Sequence, residues 1–228
     1  IGPSSLKLEK SIVLGVCAVG IPASIQSLLN VTGMTVLNNF TASYSSSAIA
    51  AMGIAQKINM VPMNIAFGAS QGVMPIIGYN YASGNRERMQ SCVRFSMRLT
   101  VTFLTAVALC YYFGAAFFVG LFIRNEAIIA YGARFLHGMC LALPFLNIDF
   151  MAVGVFQAVG MGRKAFFFAI LRKIIMEIPA LYILNALFPL YGLAYAQAVT
   201  EVILAAAALL TLRHLYQEID RKAANGEL

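Results

Sequence analysis

Three carboxylates and one lysine lie inside long apolar stretches of this sequence, and they are the residues best placed to do chemistry. Asp149, Glu177 and Glu201 each fall near the middle of a segment long enough to cross a bilayer, and Lys57 lies within another such segment. An ionisable side chain is costly to bury at membrane depth, so such residues generally mark ion or substrate pathways. They predict a site for an ion or a charged substrate within the membrane.

Asp149 has the most suggestive surroundings. It follows Pro144 and Asn147, and a proline removes a backbone hydrogen bond and can leave carbonyl oxygens free. A carboxylate beside free carbonyl oxygens and Asn147 can bind Na⁺, a proton or a cationic substrate. The alternative is a structural carboxylate that pairs with Lys57 or Arg134.

Glu177 is a second candidate ligand, two residues before Pro179. Arg172 and Lys173 lie about one helical turn away, so an intrahelical ion pair is its alternative role. Glu201 follows Thr200 in an alanine-rich segment, where hydrogen bonding between helices is the favoured interpretation.

Lys57 and its polar neighbours form the third candidate group. Gln56, Asn59 and Asn64 are predicted to lie near one face with Lys57 and to edge a cavity. The lysine either occupies that cavity or extends its ammonium group to the membrane interface.

Composition places these residues in a membrane protein. The chain has 228 residues, 60% of them hydrophobic and 11% charged, with a mean hydropathy of +0.78. Soluble domains average about 25% charged residues, so the sequence predicts an all-α, polytopic membrane protein. The net charge of +7 reflects membrane topology rather than nucleic-acid binding, and no nucleic-acid partner is expected. Four scattered cysteines and the absence of nucleotide or metal motifs predict no cofactor or bound metal beyond a coupling ion.

Six membrane helices are predicted from the apolar runs and the turn formers between them. They cover about 11–37, 48–80, 86–123, 127–159, 165–187 and 193–212. Residues 1–10 are interpreted as the remnant of a linker, residues 11–214 as the helical unit and residues 215–228 as a cytoplasmic tail.

Lysine and arginine collect on one side of this topology. Thirteen of the basic residues, with Arg172 and Lys173 counted among them, fall on the side of both termini, and the opposite loops hold only Arg124. The positive-inside rule therefore predicts a multi-pass protein of the inner cell membrane with both termini in the cytoplasm.

An intramembrane enzyme is a further interpretation. Gly68-Ala69-Ser70 is similar to the start of the motif that carries the nucleophile of rhomboid proteases, and His137 is the imaginable base. Gln71 stands where that motif has glycine, which argues against this interpretation.

The segment from Gly68 to Asn85, with its Gln-Gly-x-x-Pro-x-x-Gly-x-Asn pattern, resembles the second-helix signature of a lobe of the multidrug and toxin extrusion (MATE) transporters. Phe156 to Gly160, Leu171 to Pro179 and Gly192 to Ala196 resemble later helices of the carboxy-terminal lobe. The resemblance implies one six-helix lobe of a twelve-helix transporter, whose partner is an amino-terminal lobe of the same polypeptide.

That family exports small amphiphilic and cationic substrates across the lipid bilayer in exchange for Na⁺ or H⁺, through alternating access. Some members place cation-binding carboxylates in the seventh and tenth helices. Here the resemblance carries that role to Asp149 as a possible Na⁺ ligand, whereas the first helix has no acid. A flippase of lipid-linked precursors in the same superfamily and a homodimer of six-helix units are the alternatives.

Overall fold

The chain folds into helices joined by short turns, as a computed structural model shows for residues 9–224. In α1 the structure describes every side chain only from residue 28 onward. The elements are α1 (Lys10–Ala42), α2 (Ser46–Ala82), α3 (Arg86–Gly120), α4 (Glu126–Cys140), α5 (Leu143–Ala158), α6 (Gly162–Ile170), a π-helical segment (Leu171–Glu177), α7 (Ile178–Leu187) and α8 (Gly192–Ala224). No strand occurs in this described part, so the all-α prediction is confirmed.

Several of these helices are long and apolar enough to cross a bilayer. Within the described residues, α2, α3 and α8 each qualify alone, and α4 with α5 forms a fourth candidate that is bent by 44°. The π-helical segment links α6 to α7 in one continuous rod from Gly162 to Leu187, and α1 has 33 residues. The count of six spans stays a prediction.

Two helices are longer than the sequence predicts. The predicted turn at residues 38–47 is mostly helical, because α1 continues through Asn38 and Asn39 to Ala42. At the other end α8 continues to Ala224, ten residues beyond the predicted unit. The remaining residues of the predicted linker and tail, 1–8 and 225–228, lie outside the described residues.

The predicted helix of residues 127–159 is two helices. The chain breaks at Leu141 and Ala142, and Pro144 falls in the first turn of α5. A proline is tolerated there because the first N–H groups of a helix have no partner within it. Pro144 thus helps to start α5 at the bend, and it does not interrupt the hydrogen bonds of a continuous helix.

Two glycines end helices in the same way. Gly84 and Gly160 have φ of 71° and 78°, in the left-handed region that glycine adopts without strain. After α2 the N–H of Asn85 donates to the carbonyl of Asn80 at 2.9 Å, and that of Gly84 to Tyr81 at 3.1 Å. These are the two hydrogen bonds of a Schellman turn. Asn85 then caps α3 by accepting from the N–H of Arg88.

Helices α2 and α5 form the centre of the bundle. Apolar side chains make three clusters along it, one near the Ser46 end of α2, one around Ala66 and one around Ile77. Small residues allow close approach, because a Cβ added at Gly154 would strike Oγ of Ser70 on α2. Asp149 of α5 and Glu201 of α8 lie between the two end clusters.

Candidate functional site

A buried arginine joins two buried carboxylates from different helices. Nη1 of Arg172 lies 3.6 Å from Oδ2 of Asp149 on α5, and its Nε lies 2.8 Å from Oε1 of Glu201 on α8. The side chains of Asp149 and Glu201 are 2% and 0% exposed. The guanidinium also lies over the ring of Phe150, 4.7 Å from its centroid. We call Asp149, Arg172 and Glu201 the ionic triad.

The triad is incompletely hydrogen-bonded. The N–H of Arg172 Nε is not aligned with Oε1 of Glu201, so their contact is an ion pair rather than a formed hydrogen bond. Oδ1 of Asp149, Oε2 of Glu201 and Oγ1 of Thr200 are also buried without a partner in the described structure. Unpaired buried polar atoms are costly and need a functional or structural reason.

The π-helical segment directs the side chain of Arg172 toward Asp149 and Glu201. The N–H of Ile178 donates to the carbonyl of Lys173, five residues back, which is the wide turn of a π-helix. Pro179 follows at once; a proline ring would clash with the carbonyl four residues earlier, and the wide turn relieves that clash. The wider turn also changes which residues share a face, so Arg172 faces α5 and α8.

The neighbouring lysine makes a separate ion pair. Nζ of Lys173 lies 2.7 and 2.6 Å from the two carboxylate oxygens of Glu177, within the same segment. Gly33 of α1 covers the pair, because a Cβ there would lie 3.3 Å from Lys173 Nζ and from Glu177 Oε1. The structure therefore gives Glu177 the intrahelical partner that the sequence offered as its alternative role.

The two polar residues before the triad point in opposite directions. Asn147 is buried and donates through Nδ2 to Oγ1 of Thr100 on α3 at 2.8 Å, whereas Asp149 faces Arg172. Residues two apart on a helix do not share a face. The predicted grouping of Asp149 with Asn147 is therefore wrong, and so is its alternative pairing with Lys57 or Arg134, whose guanidinium lies over the ring of Tyr191.

Lys57 and Asn64 lie on an exposed face of α2. Together with Gln71 they recur every seven residues, nearly two helical turns, so they form one polar stripe. Among the described residues Lys57 has no ion-pair or hydrogen-bond partner. Gln56, beside it, donates to Oδ1 of Asn38 on α1 at 3.2 Å.

Helix α3 exposes large apolar side chains that include Phe95, Leu99, Phe113 and Phe117. Charged and polar side chains within a membrane segment generally face the protein interior or a water-filled cavity. The polar stripe on α2 is therefore a candidate lining of such a cavity.

Ser70 and His137 do not form a catalytic pair. Ser70 is buried and donates to the carbonyl of Phe150 at 2.7 Å. The His137 ring lies 4.7 Å from the ring of Tyr112 on α3. Ser70 is thus held by a hydrogen bond and His137 by a ring contact, so the two side chains have separate partners.

Arg172 is the residue that sequence reasoning missed. The charge pattern groups it with the basic residues of the cytoplasmic side, although it lies nine residues past Arg163, or about 14 Å along a helix. That depth, and its position one turn before Glu177, were signals for a buried cation. For Glu201 the sequence favours hydrogen bonding between helices, whereas the structure gives it an ion pair with Arg172 of another helical segment and no formed hydrogen bond.

Comparison with known proteins finds a matching family model and relatives of similar sequence. A family model described as MatE matches residues 22–183. The multidrug export protein MepA of Staphylococcus saprophyticus is 34% identical over 91% of this chain and 46% of its own length. MepA of Staphylococcus aureus strain NCTC 8325 is 37% identical over 90% of this chain and 45% of its own length. The chain spans about half the length of the curated relatives it matches.

Solved structures share the fold at low identity. The MATE transporter VcmN of Vibrio cholerae, in its bent form, matches with a TM-score of 0.83 at 21% identity. The match covers 95% of this chain and 49% of the VcmN chain. A transporter of the MOP superfamily from Pyrococcus furiosus matches with a TM-score of 0.86 at 19% identity. This match covers 96% of this chain and 50% of the transporter chain.

Proposed function

Because this chain belongs to the MatE family, we propose that it forms one lobe of a multidrug exporter that works by alternating access. Members of the family are multi-pass membrane transporters and not enzymes, so the chain is a membrane protein with no catalytic role for Ser70. The relatives named above are multidrug export proteins about twice as long. In the proposed exporter the other half is an amino-terminal lobe, and the two lobes enclose the substrate path between them.

The polar stripe on α2 is the observation that carries this proposal. Lys57, Asn64 and Gln71 are exposed on the isolated lobe, and Asn64 lies at the middle of the 37-residue helix. Polar groups at that depth do not face lipid at equilibrium without cost. They therefore line the cavity between the lobes, where small amphiphilic and cationic molecules bind beside exposed apolar side chains such as Met60.

Transport is coupled to Na⁺ or H⁺ through Asp149. The ionic triad joins α5, the π-helical segment and α8, so a change in its charge alters the contacts among three parts of the bundle. Only an ion that binds the two states with different affinity can shift the balance between them. The orientation that fits this scheme has both termini in the cytoplasm.

An efflux assay on the full-length protein tests the proposal. Cells that lack their own exporters are loaded with ethidium, and its retention is followed with the wild-type protein, with Asp149→Asn and with empty vector. We expect the wild type to lower retention and Asp149→Asn to lower it less, because the variant removes the coupling charge. Asn39→Gln, an exposed polar change near the end of α1, is the matched control.

Equal retention in wild-type and vector cells, repeated with other cationic and zwitterionic amphiphiles and with the protein present in the membrane, would contradict drug export. Normal efflux by Asp149→Asn would instead remove only the coupling role of that residue.

A further inference from the structure

A polar cavity opens at the end of the bundle where α3 begins, close to the last turns of α8. Its volume is about 880 Å³, and Arg86, Gln90 and Arg94 of α3 line it together with Asp220 of α8. Arg86 is paired with Asp220 at 3.4 Å, and their side chains are 32% and 58% exposed. An ion pair so exposed to water contributes little to stability. The cavity is therefore an open polar space in which one of the two arginines already has an acidic partner.

A row of basic and polar side chains continues from this cavity along α3. Residues four apart are neighbours on a helix, so the row contains Arg86, Gln90, Arg94 and Arg98. Arg94 and Arg98 are exposed, and neither belongs to an ion pair of the described residues. Nε of Arg94 donates to the carbonyl of Gln90 at 3.4 Å, which leaves its two terminal nitrogens available to an anion.

A row of large apolar side chains runs beside the arginines. Phe95, Leu99 and Phe103 are also four residues apart, and their exposed fractions are 68%, 59% and 45%. Phe95 follows Arg94 in the sequence and Leu99 follows Arg98, so the two rows are adjacent on the helix surface. A ligand that contacts both rows combines a compact anionic group with a long apolar chain, which is the chemistry of a phospholipid.

The depth of these arginines in a membrane follows from the charge pattern of α3. No charged residue occurs between Arg98 and the end of the helix at Gly120. At 1.5 Å per residue that segment is about 33 Å long, which matches a hydrocarbon core of about 30 Å. Arg98 then lies at the edge of the core, and Arg94 lies one turn, or about 6 Å, outside it. Lipid phosphates occupy the headgroup layer just outside the core, so both side chains reach their depth.

We propose that α3 binds an anionic phospholipid here, with the lipid phosphate between Arg94 and Arg98. An acyl chain of the same lipid lies along Phe95, Leu99 and Phe103. A guanidinium presents its N–H donors in a plane that suits the oxygens of a phosphate. A soluble phosphate would make no use of the apolar row. The proposal requires only that the chain lies in a membrane, and it does not depend on transport.

The charges around the cavity favour a lipid with a net negative charge over a zwitterionic lipid. Basic residues outnumber acids there: the arginines are Arg86, Arg88, Arg94 and Arg98, and the acids are Glu87 and Asp220. Asp220 is already paired with Arg86, which leaves the two arginines at phosphate depth without an acid of their own. Basic residues at this depth attract anionic lipids.

Binding of defined lipids to the full-length protein in detergent tests this assignment. Native mass spectrometry compares the affinity for phosphatidylglycerol, which is anionic, with that for phosphatidylcholine of the same acyl chains, which is zwitterionic. We expect tighter binding of phosphatidylglycerol. An arginine near an anionic lipid surface contributes about fivefold in affinity, so Arg94→Gln and Arg98→Gln should each weaken phosphatidylglycerol binding about fivefold, and the double variant about thirtyfold.

Matched controls separate this site from the general charge of the surface. Arg163→Gln removes one positive charge in the first turn of α6, and Arg124→Gln removes one beyond the other end of α3; both should leave phosphatidylglycerol binding unchanged. Leu99→Gln changes no charge and should weaken binding several-fold, because the acyl chain loses an apolar contact. Glycerol 3-phosphate carries a phosphate without acyl chains, and it should not displace the lipid at equal concentration.

Equal affinity of the wild type for the two lipids would overturn the proposal, and so would wild-type affinity for phosphatidylglycerol in the double variant. An equal loss in Arg163→Gln would overturn it as well, because only the net charge of the surface would then matter. Displacement by glycerol 3-phosphate would identify a soluble phosphate as the ligand and refute the lipid assignment. Size-exclusion profiles and melting temperatures of every variant separate loss of binding from loss of folded protein.

Discussion

Replacing Arg172 with methionine is expected to destabilise the protein strongly. The arginine side chain is 5% exposed and is the only cation that the described structure places against Asp149 and Glu201. Removing one partner of a buried ion pair costs about 3–5 kcal/mol because it leaves an uncompensated buried charge. At roughly 2 °C per kcal/mol for a chain of this size or longer, the melting temperature should fall by about 6–10 °C.

Thermal unfolding of the purified full-length protein in detergent measures this change. The triple variant Arg172→Met, Asp149→Asn, Glu201→Gln is expected to recover most of the lost melting temperature. Neutral groups of similar volume can replace a buried ionic cluster at little cost. Arg98→Met, at an exposed arginine of α3, is the matched control. If Arg172→Met melts within the scatter of Arg98→Met, or if the triple variant is no better than the single one, the charge argument is refuted.

Three further changes test the packing, the turn and the exposed face. Gly154→Ala should cost about 1–3 kcal/mol, because its Cβ strikes the Ser70 hydroxyl, and adding Ser70→Ala should recover most of it in the same melting assay, since the two Cβ atoms would then be 3.7 Å apart. Asn85→Ala should cost about 1 kcal/mol through loss of the cap on α3, and hydrogen exchange in the first turn of that helix should rise. In a cysteine-free background of the full-length protein, Asn64→Cys should react with a water-soluble maleimide and Phe113→Cys should not; equal labelling would contradict the assignment of the polar stripe to a water-filled cavity.

The helices were predictable because their signals are local. Long apolar runs, Gly84 and Gly160 at helix ends and Asn85 before a basic turn each act within a few residues. The errors came from short polar runs. Asn38 and Asn39 favour turns, but here Asn38 accepts a hydrogen bond from Gln56 of α2 and the helix continues to Ala42.

The triad was only half predictable, because it depends on contacts between distant segments. Asp149 and Glu201 could be found as charges in apolar helices, but which cation they share depends on how α5, α8 and the π-helical segment pack. The widened turn before Pro179 sets the direction of Arg172, and a regular helix drawn from the sequence points it elsewhere. Asn147 was assigned to the wrong neighbour for the same reason, since proximity in sequence does not give a shared face.

The role of Lys57 is only partly decided by this structure. The sequence placed it at membrane depth with a polar neighbour, Gln56, and left two roles open. The structure places it on the exposed stripe with Asn64, away from every buried carboxylate. In the transporter that we propose, the lysine is available to a substrate in the cavity or to the facing lobe.

The sharing of Arg172 among helices also constrains how the protein is made. The rod that contains α6, the π-helical segment and α7 carries Arg172, Lys173 and Glu177 near its middle, and a charged residue there costs about 2.5–3.5 kcal/mol on insertion. Two of these charges can neutralise each other as soon as the helix forms, but Arg172 cannot. Asp149 emerges from the ribosome before it and Glu201 after it. The rod should therefore leave the translocon together with α5, and an Asp149→Asn chain should pause there until α8 is synthesised.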